Sequence, residues 1–288
     1  MSERLDLVPL DGRPFRLTVG LRPVPEAEWL LVDADADAEL ALKDRLLAQR
    51  HDEVFAALPD ADVDAGSAEV LAAVRTWLSE HEPGLRERRE QALTSGLHPL
   101  DAAGRLVQED LCLMVPRGDA YILGSASLCF PSRWLLADKL GQDMAGIHEP
   151  VAGYAERLAV ASDRAMDRVG PEPAQRANWT LLDSPDLFQP DPAGRRASAA
   201  QLAVEPELVG AHVHFRVERQ TLRRMPSGSV LFTIRTTVRT LADLVAAHPE
   251  TAAQLALALR TAPDATVSYK GWETLRDPVL RWLEPFTR

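Results

Sequence analysis

Glu109-Asp110-Leu111-Cys112-Leu113-Met114-Val115 is a short apolar run, Pro116-Arg117-Gly118-Asp119 follows it, and Ala120 to Phe130 is a second run of the same kind. Two apolar stretches of strand length joined by a Pro/Gly/Asp turn predict a β-hairpin. Upstream of it the apolar residues fall at helical spacing instead. Leu40, Leu42, Leu46, Leu47, Val54 and Phe55 predict a helix over 38–57. Val70, Leu71, Val74, Trp77 and Leu78 predict a second from Ser67 to His81, stopped by Pro83-Gly84. A short charged helix from Arg86 to Leu93 and a loop through Gly96 and Pro99 complete this part. Residues 1–35, with Arg13-Pro14-Phe15 and Leu21-Arg22-Pro23-Val24-Pro25, have the composition of an extended arm lying on the body, anchored by Trp29.

Downstream of Pro131-Ser132 the helical period returns. Trp134, Leu135 and Leu136 lead to Leu140-Gly141, and Val151, Tyr154, Leu158 and Met166 mark a further helix. Three strand-like runs follow, Asn178 to Leu182, His212 to Leu222 and Ser229 to Val238, the last two joined by a turn through Pro226-Ser227-Gly228. Residues 183–206, rich in Pro, Asp and Ala, read as a surface loop, and helices near 240–260 and 274–284 close the chain. The expected fold is α+β. It has an arm and helices over 1–104, a curved antiparallel sheet with a helical crossover over 105–240, and C-terminal helices of the same domain over 241–288. Hairpin, helical crossover and second antiparallel set is the element order of a PAS domain, whose sheet curls around a ligand.

Composition removes several function classes. With 46% hydrophobic and 26% charged residues in 288, the chain has material for a sizeable core, so wholesale disorder is not expected. The net charge of −11 argues against a nucleic-acid partner, and the local basic group Arg219, Arg223, Arg224 is too small to reverse that. Cys112 and Cys129 provide neither a disulfide framework nor an iron–sulfur cluster; buried, reduced thiols are expected. Acidic residues precede any apolar run at the N-terminus, and no stretch approaches the ~18 apolar residues of a membrane span, so a cytoplasmic protein without membrane association is expected. There is no GxGxxG, P-loop, HExxH or GxSxG, so no dinucleotide fingerprint holds a flavin or nicotinamide here.

His148 is the sharpest single residue. In Gly146-Ile147-His148-Glu149-Pro150-Val151 it stands at a helix margin amid Met144, Ile147 and Val151. It can there present a neutral nitrogen to haem iron, with Glu149 or a carbonyl fixing its tautomer, or it can be a capping histidine. His212 and His214, two apart on a predicted strand, share a face, as a metal pair or a sheet-packing pair. In Arg216-Val217-Glu218-Arg219-Gln220-Thr221 alternation puts Arg219 on the face of Val217, so if that face is core, Arg219 needs a partner or an anionic ligand. Inter-strand salt bridges are the plainer reading. Arg235 lies opposite Ile234 on the next strand. Trp134 and Trp179 sit at predicted strand–loop junctions, as core residues or as walls for a flat macrocycle.

Seven segments taken in order carry a resemblance. They are Val107-Gln108-Glu109-Asp110-Leu111, Cys129-Phe130-Pro131-Ser132-Arg133-Trp134, and Lys139-Leu140-Gly141 with Ile147-His148-Glu149-Pro150-Val151. Then come Arg176-Ala177-Asn178-Trp179, Arg216-Val217-Glu218-Arg219-Gln220-Thr221-Leu222, Phe232-Thr233-Ile234-Arg235-Thr236 and Tyr269-Lys270-Gly271. The chain resembles the haem-dependent oxidative N-demethylases from Leu21 to Lys270. The resemblance implies a PAS-like core with one haem b, His148 as axial iron ligand, and removal of a methyl group from a dimethylamine-like small alkylamine with O2, releasing formaldehyde. It further implies electrons from NADPH through a separate flavin and iron–sulfur reductase, which suits a chain lacking both motifs. Under it Arg219 and Arg235 are expected to meet bound oxygen or a haem propionate, and Glu218 to relay a proton or pair with the alkylammonium. Trp134 and Trp179 would line the haem. A haem-PAS gas or redox sensor and a non-catalytic scaffold are the alternatives; a sensor normally passes its signal to an output domain, and none is visible after residue 240.

Overall fold

The computed structural model describes residues 7–151, 154, 158–191 and 205–287. Within these, seven strands form one open antiparallel sheet. They are β1 (Arg22–Pro23), β2 (Phe55–Ala57), β3 (Asp110–Arg117), β4 (Ala120–Ser127), β5 (Ala174–Leu182), β6 (His214–Arg224) and β7 (Val230–Thr240), in the spatial order β1-β5-β6-β7-β3-β4-β2. The expected hairpin is β3–β4, turning at Gly118 with φ 57°. The second, β6–β7, turns at Gly228 with φ 88°, where a side chain would be strained. β3 pairs with β7 over Asp110–Met114, which places β4 and β5 on opposite sides of the sheet. Residues 128–173 must therefore cross one face.

The helices are α1 (Ala36–Gln49), α2 (Ala61–His81), α3 (Pro83–Ala92), α4 (Pro99–Gly104), α5 (Met144–Ile147), α6 (Ala159–Arg168), α7 (Leu241–Ala247), α8 (Thr251–Thr261), α9 (Asp264–Tyr269) and α10 (Arg276–Leu283). On one face of the sheet, Leu111, Leu113, Val115 and Leu231 pack under Val63, Val70 and Val74 of α2 and Trp29 of the arm. The same face continues through Leu181, Phe215 and Val217 under Leu244, Leu255, Leu259 and Trp272 of the C-terminal helices. On the other face, Cys112, Met114, Leu222 and Ile234 meet Leu136, Met144, Ile147 and Met166 of the crossover. Both faces are covered, so Asp110–Val115 is buried at every residue and reads as an unbroken run without alternation. We call these the helix face and the crossover face.

Several expected boundaries move. The helix predicted over 38–57 ends at Gln49, where Arg50 leaves helical geometry at φ −137°. A single turn, His51–Val54, follows, and Phe55 opens β2 against Ser127 of β4. Val54 and Phe55 suit either period, and an unpaired sheet edge decided between them. The loop through Pro99 is instead α4, started by Pro99 and capped by His98, whose Nδ1 accepts from Leu100 N at 3.2 Å. β5 starts at Ala174, four residues before Asn178. His212 closes a one-turn helix, Val209–His212, so it does not share a strand face with His214. The helix near 240–260 divides at His248-Pro249, and α9 is additional. The helix expected from Val151 is described only from Ala159; 152–153 and 155–157 lie outside the described residues, as do 1–6 of the arm and 192–204 of the predicted surface loop.

Trp29 is fully buried and Arg223 lies over its ring at 4.6 Å, so it anchors the arm as expected. Cys112 and Cys129 are free and buried. Burial pushes both thiols up, Cys129 to about 12. Gly124 of β4 sits beneath α2: a Cβ there would meet Val63 Cγ2 at 2.8 Å and Val115 Cγ2 at 2.9 Å. Gly124→Ala is expected to cost about 1–3 kcal/mol by overpacking, read as a lower urea midpoint at unchanged slope.

Candidate functional site

Asp143 accepts a hydrogen bond from Gly146 N at 2.8 Å and starts α5; His148 ends it. His148 Nδ1 lies 2.9 Å from the Met144 carbonyl oxygen. A carbonyl only accepts, so Nδ1 carries the proton and Nε2 keeps its lone pair. Among the described residues Nε2 has no hydrogen-bond partner. Burial lowers the imidazole pKa, and the positive charges of Arg176 and Lys139 lower it further against the Met144 bond, which favours the neutral ring at neutral pH. Tyr154 stacks on it, with centroids 4.5 Å apart and planes 7° from parallel.

The crossover face continues from there onto β5 and β6. Register sets Asn178 opposite Glu218, Arg176 opposite Gln220 and Thr180 opposite Arg216. Glu218 accepts from Gln220 Nε2 at 3.1 Å and lies 3.6 Å from Arg216 Nε. Arg216 is fully buried and donates to the carbonyls of Phe130 and Leu187. Arg176 has a buried Nε with no partner. Burial lowers the pKa of its guanidinium, while Glu218 and Tyr154 act the other way.

Of the remaining expected site residues, Trp134 lies on the crossover face, and Trp179, Arg219 and Arg235 lie on the helix face. Trp134 packs, half-buried, into the crossover-face cluster with Leu136 and Met144. Trp179 is mid-strand, not at a junction, and alternation turns it to the helix face. There it stacks on Trp272 at 5.1 Å and Phe215 at 5.4 Å, away from His148. Arg219 shares that face. Its Nε donates to Gln175 Oε1 at 2.6 Å and its terminal nitrogens to the carbonyls of Trp29 and Glu28. Arg235, fully buried, pairs with Asp33 at 2.6 Å and Glu39 at 2.9 Å. Both arginines hold the arm and α1 onto the sheet, and the chain itself supplies their acceptors. Arg176, which is not among the residues singled out from the sequence, links the two: its charge acts on His148, and Glu218 on the same sheet face acts on it. Its signal was present: two residues before Asn178, Arg176 shares that residue's face, but the strand was expected to begin after it.

Lys270 reaches the sheet from the C-terminal side. Its Nζ donates to the Trp179 carbonyl at 2.8 Å and lies 5.3 Å from the Trp272 ring. Burial pushes it down to about 8, with Glu218 opposing and Arg176 assisting. Between that value and the ordinary 10.5 the unfolded chain holds a proton the folded chain has lost, so stability rises with pH across the window. Relative to Lys270→Met, the wild type is expected to gain about 3 kcal/mol between roughly pH 8 and 10.5, measured as the difference of urea unfolding free energies. A flat difference would refute it.

The fold and this site define a mixed helix–strand protein, one antiparallel sheet with helices on both faces, whose crossover carries a neutral histidine with one nitrogen open. The chain matches the family described as haem-dependent oxidative N-demethylase, alpha subunit-like, over residues 20–280, and it belongs to that family. The family's description makes it haem-dependent and an oxidative demethylase in type, with a partner subunit implied by the term alpha subunit. The residues present fit a haem. His148 offers the open nitrogen an iron requires, and Arg176 a buried donor that lacks an acceptor. Among the described residues no three His, Cys, Asp or Glu cluster to hold a bare metal ion, but haem iron needs no such set, because the porphyrin supplies four nitrogens. Among the described residues no helix is long and apolar enough to cross a membrane.

Proposed function

We propose that this chain holds haem b between the crossover face of its sheet and the α5 segment, with His148 as axial ligand. In this reading it removes a methyl group from a small, dimethylamine-like alkylamine. Amine, O2, two electrons and two protons give the demethylated amine, formaldehyde and water. The electrons come from NADPH through a separate flavin and iron–sulfur reductase, since this chain has neither a dinucleotide fingerprint nor enough cysteines for a cluster. The observation that carries the reading is the fixed tautomer of His148, Nδ1–H on the Met144 carbonyl and Nε2 open. A PAS-like fold is supported by the hairpin, crossover and second antiparallel set, with the first hairpin strand beside the last strand.

Bound haem supplies the activation of O2, a chemistry the side chains lack. The chain's own residues prepare the place. Tyr154 covers one face of the imidazole and limits its rotation. Trp134, Leu136, Met144 and Ile147 line the same face with apolar surface and keep water out. Glu218, held by Gln220, accepts and passes a proton. Pairing with the alkylammonium is the less favoured of its two expected roles, because Arg216, Arg176 and Lys270 already place three cations around it.

The test is reconstitution with haem and a compatible reductase, then measurement of formaldehyde and demethylated amine against NADPH consumed. Stoichiometric product from a secondary methylamine is expected. Haem uptake with no product from any small methylamine would leave a haem protein without this activity.

A further inference from the structure

Among the described residues, the chain supplies acceptors for the other buried arginines. Arg235 has Asp33 and Glu39, Arg133 has Asp183, Arg219 has the carbonyls of Glu28 and Trp29, and Arg216 has those of Phe130 and Leu187. Arg176 is the exception. Among the described residues it makes no hydrogen bond at all, whereas Arg216 and Arg235, whose Nε atoms are likewise buried without an acceptor, bond through their terminal nitrogens. It stands beside the open histidine, close enough that its charge acts on both His148 and Tyr154. The charges around it do not balance. Among the described residues Arg176, Arg216 and Lys270 share the carboxylate of Glu218, and Asp110, which also acts on Arg216, is shared with Lys43. An excess of positive charge with an unfilled, partly buried guanidinium is costly unless an anion completes it, and the planar fork of arginine matches a carboxylate in two-point contact.

We propose that Arg176 is the receptor for a carboxylate of the bound prosthetic group, a porphyrin propionate. This rests on the haem reading above and deepens it: the axial nitrogen and the carboxylate anchor come from opposite walls of one site, His148 from the crossover and Arg176 from β5. Arg219 and Arg235, the arginines that the sequence pointed to for this task, are occupied elsewhere.

The experiment titrates the full chain with hemin and with hemin dimethyl ester, whose carboxylates are blocked, following the Soret band and the off-rate. The wild type is expected to bind hemin about 10- to 100-fold more tightly than the diester, the range for a charge-assisted pair. Arg176→Met should reduce that preference to within about threefold while leaving the histidine-ligated spectrum unchanged, and Arg176→Lys should restore part of it. Equal wild-type affinity for the two porphyrins overturns the assignment, whether or not Arg176→Met folds. So does full preference retained in Arg176→Met or Arg176→Gln. A Soret band without carboxylate dependence defeats this inference alone; no Soret band with either porphyrin defeats the haem reading and this inference with it.

Discussion

Arg235→Met is expected to destabilise the protein by about 3–5 kcal/mol, the cost of stranding buried charge. Arg235 is fully buried in the centre of β7 and pairs with Asp33 and Glu39, while Gln108 Nε2 donates to the same two carboxylates at 3.0 and 2.7 Å. Burial raises the Asp33 carboxyl, but Arg235 and Gln108 outweigh it and hold the group below its ordinary range. For Glu39 burial wins, and its carboxyl sits above the ordinary range. Methionine keeps the volume and removes the charge, so two carboxylates remain in low dielectric facing each other. Urea denaturation should show a much lower midpoint. The triple variant with Asp33→Asn and Glu39→Gln should recover a large part of the loss, because the stranded charges are then gone. A loss below about 1 kcal/mol would mean that water reaches these carboxylates.

His148→Ala is expected to act on the cofactor and spare the fold. Loss of an outer partner of a metal ligand costs roughly 10–100-fold in affinity, and loss of the ligand itself should exceed that. Far-UV circular dichroism should stay as in the wild type, since the ring makes one hydrogen bond and one stacking contact at the end of a one-turn helix. Added imidazole should occupy the vacated space and return a histidine-like spectrum. Full haem content with an unchanged spectrum in His148→Ala would remove the ligand assignment.

These two expectations reverse the weight that the residues carry as letters. Arg235 and Arg219 look like ligand-facing arginines because buried charge demands a partner. Their partners lie far away in sequence: Asp33 is 202 residues from Arg235, and Trp29 is 190 from Arg219. Periodicity reaches only a few residues and cannot see an arm folding back over a sheet. Trp179 misleads for a related reason. Its run of residues reads as a strand beginning at Asn178, which makes it a junction residue, but β5 runs from Ala174. The same truncation hid Arg176. Where turn chemistry was explicit the reading held: Gly118 and Gly228 mark the two hairpins, and the runs beside them are strands.

What the amino-acid order determined by itself is local or cumulative: turns that need glycine, periods that choose strand or helix, thiols too few for a cluster, and ordered segments that place the chain in its family. Only the tertiary structure decided which face each strand residue serves. In a strand, alternation relates neighbours to one another but leaves open what covers either side, and in this sheet both sides are covered. Core helices and the arm took the face with Arg219, Arg235 and Trp179. The crossover, which carries His148, took the other, the face of Glu218 and Arg176.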